Sequence, residues 1–210
     1  MTTQIKICGL TNTEDALAAL DSGADYLGFV MYTGSPRANT AQSLQQIRAT
    51  LPSDARVVAV FVNETPEEVA RIASACDLAA VQIHGDEASA GFQSMPVPVW
   101  RAVHRRQEAW QPAPADWPAE RYVVDAAPAG QYGGSGIESD FEAAASLARQ
   151  NPLMLAGGLR PDNVTEAVKL VRPLGVDVTS GVESEPGRKD HGRIRDFIRN
   201  VKTADMEILP

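Results

Sequence analysis

Gln4-Ile5-Lys6-Ile7-Cys8, followed by the turn Gly9-Leu10-Thr11-Asn12, opens the chain as a strand with two unlike faces. Strand side chains alternate, so Ile5 and Ile7 share one face while Gln4, Lys6 and Cys8 share the other. Two polar side chains and a thiol make an odd core surface. They make a sensible wall if that face lines the inside of a barrel with Cys8 at its mouth. A plainer reading stands beside it, because free cysteine is among the most buried residue types and often serves as a small hydrophobe.

Beyond this strand, short apolar runs alternate with amphipathic helical patterns. Strands are expected at 26–31, 57–61, 80–83, 97–102, 121–125, 153–156 and 175–179. Helical stripes fall between them: Ala16, Leu17 and Leu20, closed by Gly23; Leu44, Ile47 and Leu51 after Thr40; Val69, Ile72, Ala73 and Cys76 after Pro66. That spacing makes Cys76 structural. A weak helix is expected from about Glu87 to Met95. The segment from Gln107 to Glu120 carries prolines and tryptophans with little helical period, so the fifth helix is expected to be degraded to a loop. Further helices are expected over Asp140–Gln150, around Val164, Ala167, Val168 and Val171, and around Ile194, Phe197, Ile198 and Val201. Eight strands in regular alternation with helices predict an α/β fold, a single compact (β/α)8 TIM barrel over residues 1–210. A doubly wound open sheet is the alternative.

The bulk properties fit a globular enzyme-sized domain: 210 residues, 44% hydrophobic and 22% charged. A formal net charge of −8 argues against a nucleic-acid surface but allows a locally positive site for a small anion. Cys8 and Cys76 have no metal-ligand spacing and form no disulfide framework, and His84, His104 and His191 are far apart. No metal or cofactor is expected. No signal peptide or membrane-spanning run is evident, and a cytoplasmic location follows as the default.

In a barrel of this kind the chemistry lies at the C-terminal ends of the strands. The unusual residues gather there: Cys8 after strand one, Arg37 after strand two, His84 after strand four and Asp125 at the end of strand six. Gly157-Gly158 follow strand seven; strand eight holds Asp177 and ends in Ser180-Gly181. Glycines let backbone N–H groups approach a phosphate closely, although glycines also simply terminate strands. Two glycine turns on adjacent strands, with Gly133-Gly134-Ser135-Gly136 before them, favour a phosphate site. Arg121, Val123 and Asp125 share a face; if that face and the Cys8 face both point inward, Cys8 and Asp125 approach one pocket from roughly opposite walls. A thiol and a carboxyl across a phosphate-anchored substrate suit proton transfer. Lys6 either favours the thiolate electrostatically or forms an ion pair inside the barrel; the sequence supports both. Arg37, in a loop after Pro36, reads as too exposed for the core, and its planar fork suits a carboxylate or phosphate, although taken alone it reads as an ordinary surface arginine.

Taken together, these motifs resemble the phosphoribosylanthranilate isomerases of tryptophan biosynthesis. Lys6-Ile7-Cys8-Gly9-Leu10-Thr11, Gly28-Phe29-Val30, Ser35-Pro36-Arg37, Gln82-Ile83-His84-Gly85, Val124-Asp125, Gly133-Gly134-Ser135-Gly136, Leu155-Ala156-Gly157-Gly158-Leu159 and Ser180-Gly181-Val182-Glu183 carry the resemblance. Pro186-Gly187 and Lys189-Asp190 complete it across almost the whole chain. The resemblance implies a cofactor-free Amadori rearrangement of an aminoaldose to an aminoketose, in a monomer or homodimer whose partner is a small phosphorylated substrate. Cys8 would be the general base and Asp125 the general acid. Arg37 would hold the anthranilate carboxylate, and the turns at Gly157-Gly158 and Ser180-Gly181 the phosphate; His84 and Asp177 are further candidate substrate contacts, although a structural hydrogen bond explains His84 as well. The sequence departs from the family's usual pattern at Gly34, Ala59 and Ile137–Phe141. The histidine-pathway isomerase is the nearest enzymatic alternative, but it typically carries an aspartate where this chain has Cys8. A barrel that only binds a phosphorylated ligand would not need the Cys8–Asp125 pair.

Overall fold

The computed structural model describes residues 2–106, 109–124 and 141–208. Along them run β1 (Gln4–Ile7), α1 (Thr13–Ser22), β2 (Tyr26–Val30), α2 (Ala41–Arg48), β3 (Val57–Phe61), α3 (Pro66–Ala75), β4 (Ala80–Ile83) and β5 (Val99–Arg106). The chain continues through β6 (Ala109–Gln111), β7 (Arg121–Val124), α4 (Phe141–Ala148), β8 (Leu153–Leu155), α5 (Val164–Val171) and β9 (Gly175–Val178). A small hairpin, β10 (Glu183–Glu185) and β11 (Arg188–Lys189), precedes the long α6 (His191–Ile208).

Parallel pairing runs from β4 through β3, β2, β1, β9, β8 and β7 to β5, and a further β4–β5 ladder closes the ring. The result is the closed barrel of eight parallel strands that the alternation predicts, not an open sheet. The sixth, seventh and eighth barrel strands are thus β7, β8 and β9.

Side-chain alternation divides the apolar residues into two cores. Ile5, Ile7, Leu27, Phe29, Val81, Ile83, Val176 and Val178 face outward and pack under the helices with Ala16, Leu44, Val69, Val168 and Phe197. A smaller cluster, Tyr26, Val58, Ala80, Trp100, Val123, Met154 and Ala156, fills the inside. At the N-terminal end of the interior, Arg121 donates to Tyr26 Oη at 3.0 Å and to Gln4, and its guanidinium lies 4.7 Å from the Trp100 ring. The polar face of β1 therefore lines the interior, as its parity predicts.

Helix boundaries follow local chemistry. Asn12 caps α1 by accepting from Asp15 N, and Gly23 closes it at φ 102°, in the left-handed region that favours glycine. Thr40 and Ser43 form a capping box on α2; Thr65 caps α3 ahead of Pro66. Cys76 is buried where α3 ends, and burial pushes its thiol up, consistent with a structural role.

Two expectations need correction. The weak helix after β4 is a single 3-10 turn, Ser89–Phe92. The segment after β5 is not merely a loop: β5 runs on to Arg106, and β6 folds back antiparallel, pairing His104 with Gln111. Prolines at 112, 114 and 118 exclude a helix there, so the outer wall is built differently. Trp117 fills it, donating from Nε1 to Glu87 O at 2.9 Å. The buried Arg101 guanidinium lies 5.1 Å from the Trp117 ring and donates to Ile83 O, Gly85 O and Glu87.

Candidate active site at the barrel mouth

Cys8 stands at the C-terminal end of β1, its backbone N–H donating to Val178 O at 2.8 Å, with 5% of the residue exposed. Gly28 on β2 gives the thiol room: a Cβ there would come within 2.7 Å of Cys8 Sγ and 2.9 Å of Lys6 Cε. One layer deeper, the fully buried Lys6 ammonium donates to Asp177 Oδ2 at 2.8 Å and to Gln82 Oε1 at 3.0 Å. Burial alone would push Lys6 down, but Asp177, and behind it Cys8, hold it above the ordinary ammonium value. Of the two sequence readings of Lys6, the structure shows the interior ion pair. Asp177 sits across from Lys6 in the strand register, with its side chain only 6% exposed. Among the described residues Asp177 Oδ1, also buried, has no hydrogen-bond partner.

Arg37 corrects the exposure read from its loop position. Its side chain is only 11% exposed, because its stem lies over Gly9, where a Cβ would approach Arg37 Cδ to 2.6 Å. Its guanidinium makes a two-pronged contact with Glu183, Nε to Oε1 at 2.8 Å and Nη2 to Oε2 at 2.7 Å, which holds it above its usual value. Glu183 also accepts from Lys189 Nζ at 2.9 Å, and Lys189 donates as well to Thr179 O at 3.0 Å.

In the sequence Glu183 and Lys189 stand only as parts of the family motifs. The available signal was their placement on either side of Pro186-Gly187: a hairpin turn there puts the two directly opposite each other. The hairpin is fastened to the first turn of the chain by Thr11, whose hydroxyl donates to Gly187 O at 2.6 Å. It is fastened to α1 by Asp15, which accepts from Lys189 N at 2.9 Å and contacts His191 Nε2 at 2.7 Å. Burial would raise the Asp15 carboxyl, but these hydrogen bonds hold it below the usual carboxylate value.

His84 follows β4 on the inward face, its Nδ1 3.1 Å from Gln82 Nε2 and its ring 5.5 Å from that of His104. Gly157 and Gly158 follow β8 at φ 83° and 68°, conformations that other residues adopt with strain. Gly158 O accepts from Arg160 Nη1 at 3.2 Å and Asn163 Nδ2 at 3.0 Å. Ser180 and Gly181 form a 3-10 turn after β9, packed so tightly that a Cβ on Gly181 would lie 1.9 Å from Leu159 O. The structure therefore gathers Cys8, Arg37, His84, Gly157, Gly158, Ser180 and Gly181 at one end of the barrel, with Asp177 just beneath. Asp125 and the 130–136 glycine loop lie outside the described residues; Val123, two residues before Asp125, does face the interior.

A family model described as N-(5′-phosphoribosyl)anthranilate (PRA) isomerase matches residues 5–200. An N-(5′-phosphoribosyl)anthranilate isomerase of Magnetococcus marinus is 44% identical over 204 residues, spanning 97% of each chain. Among solved structures, the phosphoribosylanthranilate isomerase of Thermotoga maritima superposes with a TM-score of 0.84 at 39% identity, covering 96% of this chain and 100% of that one. A phosphoribosylanthranilate isomerase in complex with reduced 1-(o-carboxyphenylamino)-1-deoxyribulose 5-phosphate superposes with a TM-score of 0.81 at 36% identity, with the same coverage. No helix among the described residues is long and apolar enough to cross a membrane.

Proposed function

We propose individual residue roles from one premise: the chain belongs to the N-(5′-phosphoribosyl)anthranilate isomerase family and is an isomerase of tryptophan biosynthesis. Its reaction converts an aminoaldose, phosphoribosylanthranilate, to an aminoketose, the carboxyphenylamino-deoxyribulose phosphate. The observation that carries the assignment is Cys8, at the mouth of the barrel and within electrostatic reach of three cations, Lys6, Arg37 and Lys189.

In the proposed sequence, Asp125 protonates the furanose ring oxygen, the C–O bond breaks and the ring opens to an iminium ion. Cys8 then removes the proton from C2′, and those electrons neutralise the iminium nitrogen to give an enolamine. Tautomerisation of the enol to the ketone completes the rearrangement, with no change in overall oxidation state and no cofactor. Among the described residues Glu183 takes Nε and Nη2 of Arg37, which leaves the Nη1 edge for the substrate carboxylate. The turns at Gly157-Gly158 and Ser180-Gly181 offer backbone N–H groups to the phosphate. Asp177 Oδ1, buried and without a hydrogen-bond partner among the described residues, would accept from a ribose hydroxyl, and His84 would contact substrate from β4. The related protein with a bound carboxyphenylamino-deoxyribulose phosphate analogue supports this substrate class.

The test follows the fluorescence of freshly made phosphoribosylanthranilate with purified protein, beside Cys8→Ala and Asp125→Asn. Turnover by the wild type should fall by about 10²–10⁴-fold or more in each variant, the usual contribution of a positioned acid or base. Binding of the reduced product analogue should persist in both. Loss of binding by both folded variants would move these residues from catalysis to recognition.

A further inference from the structure

Proton positions along the barrel axis follow by elimination. An ammonium can only donate, so the Gln82 atom 3.0 Å from Lys6 Nζ is the carbonyl oxygen Oε1. That fixes the amide: its NH₂ group, a donor only, faces His84 Nδ1 at 3.1 Å. Nδ1 must therefore accept, and the ring proton resides on Nε2, the nitrogen turned away from Gln82. The row begins at Asp177, which anchors Lys6 at 2.8 Å. All four groups are buried, with Gln82 2% and His84 6% exposed, so bulk water does not compete for these bonds.

We propose that Gln82 is a positioning residue for the isomerase: backed by Lys6 and Asp177, it fixes His84 as the Nε2–H tautomer. The end of β4 then offers an N–H donor to an oxygen of the bound substrate. Against the opposite tautomer, the same oxygen would meet an acceptor lone pair. This inference rests on the reading of the barrel mouth as the active site with His84 in contact with substrate. It adds which atom of His84 makes the contact and what sets it.

The discriminating variant is Gln82→Glu, which keeps the shape and gives Lys6 an oxygen but replaces the NH₂ donor by an acceptor. Two-bond ¹H–¹⁵N spectra of the histidine rings, assigned with His84→Gln, should show the Nε2–H pattern in the wild type and the Nδ1–H pattern in Gln82→Glu. KM for phosphoribosylanthranilate should rise about tenfold in Gln82→Glu and in His84→Phe, the size of one lost hydrogen bond. His84→Gln, which retains an N–H donor, should recover part of that loss. A merely structural role for the row would move stability without the tautomer-linked change in KM.

An Nδ1–H pattern in the wild type would overturn the proposal, and that measurement requires no variant to fold. An unchanged KM in a Gln82→Glu protein whose tautomer has reversed would overturn it too. Wild-type turnover by Cys8→Ala would instead sink the underlying assignment of the acid–base pair, whatever the His84 spectrum shows.

Discussion

Two lysines of this barrel have no side-chain exposure, yet their charges are held in opposite directions. Lys6 lies above the ordinary ammonium value because Asp177 and Cys8 together outweigh burial. Lys189 lies below it: burial dominates, and Glu183 restores only part of the loss. The difference is in how each carboxylate is shared. Among the described residues Asp177 accepts from Lys6, whereas Glu183 divides its oxygens between Lys189 and the two-pronged Arg37 contact. Arg37 also repels Lys189 directly. A buried cation keeps its proton according to what its counter-ion owes to others, not according to depth alone.

The largest effect should come from breaking the unshared pair. Lys6→Met leaves Asp177 buried without compensation and should lower unfolding stability by about 3–5 kcal/mol in urea titrations. Replacing both, Lys6→Met with Asp177→Leu, should recover much of that loss while abolishing the proposed hydroxyl contact. If the double variant were no more stable than the single, the pair would not be the unit described.

Glu183→Gln should be next, at about 2–3 kcal/mol near neutral pH, because one carboxylate serves two cations. The pH dependence has a definite sign. Burial would raise the Glu183 carboxyl, but Arg37 and Lys189 hold it below its ordinary value. Its contribution is therefore full above the unfolded-state value of about 4.3 and is lost as pH falls through the lower folded value. Urea titrations across that window should show the gap between wild type and Glu183→Gln closing on the acid side. A gap that widened there would reverse the assignment.

The smallest stability effect should belong to Arg37→Gln, within about 1 kcal/mol, because Glu183 then turns wholly to Lys189. The Lys189 side-chain ¹⁵N resonance should titrate at higher pH than in the wild type, and KM should rise more than kcat falls. An unmoved Lys189 would mean that sharing of Glu183 is not what sets its charge.

The two faces of β1 were legible because alternation is a local property: Ile5 and Ile7 join the outer core, while Gln4 and Lys6 bond inside. Gathering of polar residues at the strand ends was legible for the same reason, once the strands close into one ring. Partnership was less so. Arg37 looked exposed because only the β10–β11 turn brings Glu183 against it, from 146 residues away in sequence. The proline-bearing stretch after β5 gave no sign that Trp117 and Arg101 replace a helix, since that packing depends on side chains meeting from separate segments. The sequence shows Asp177 within strand eight, but not that it lies one layer beneath Cys8 in the grip of Lys6.

The near-contact of Gly181 with Leu159 O makes the turns after β8 and β9 a single mechanical part. Any side chain at 181 must push the preceding turn away from the pocket, and with it the backbone at Gly157 and Gly158. Neither turn can therefore be transplanted from another barrel or lengthened by itself; a graft that reshapes the anion pocket has to carry both.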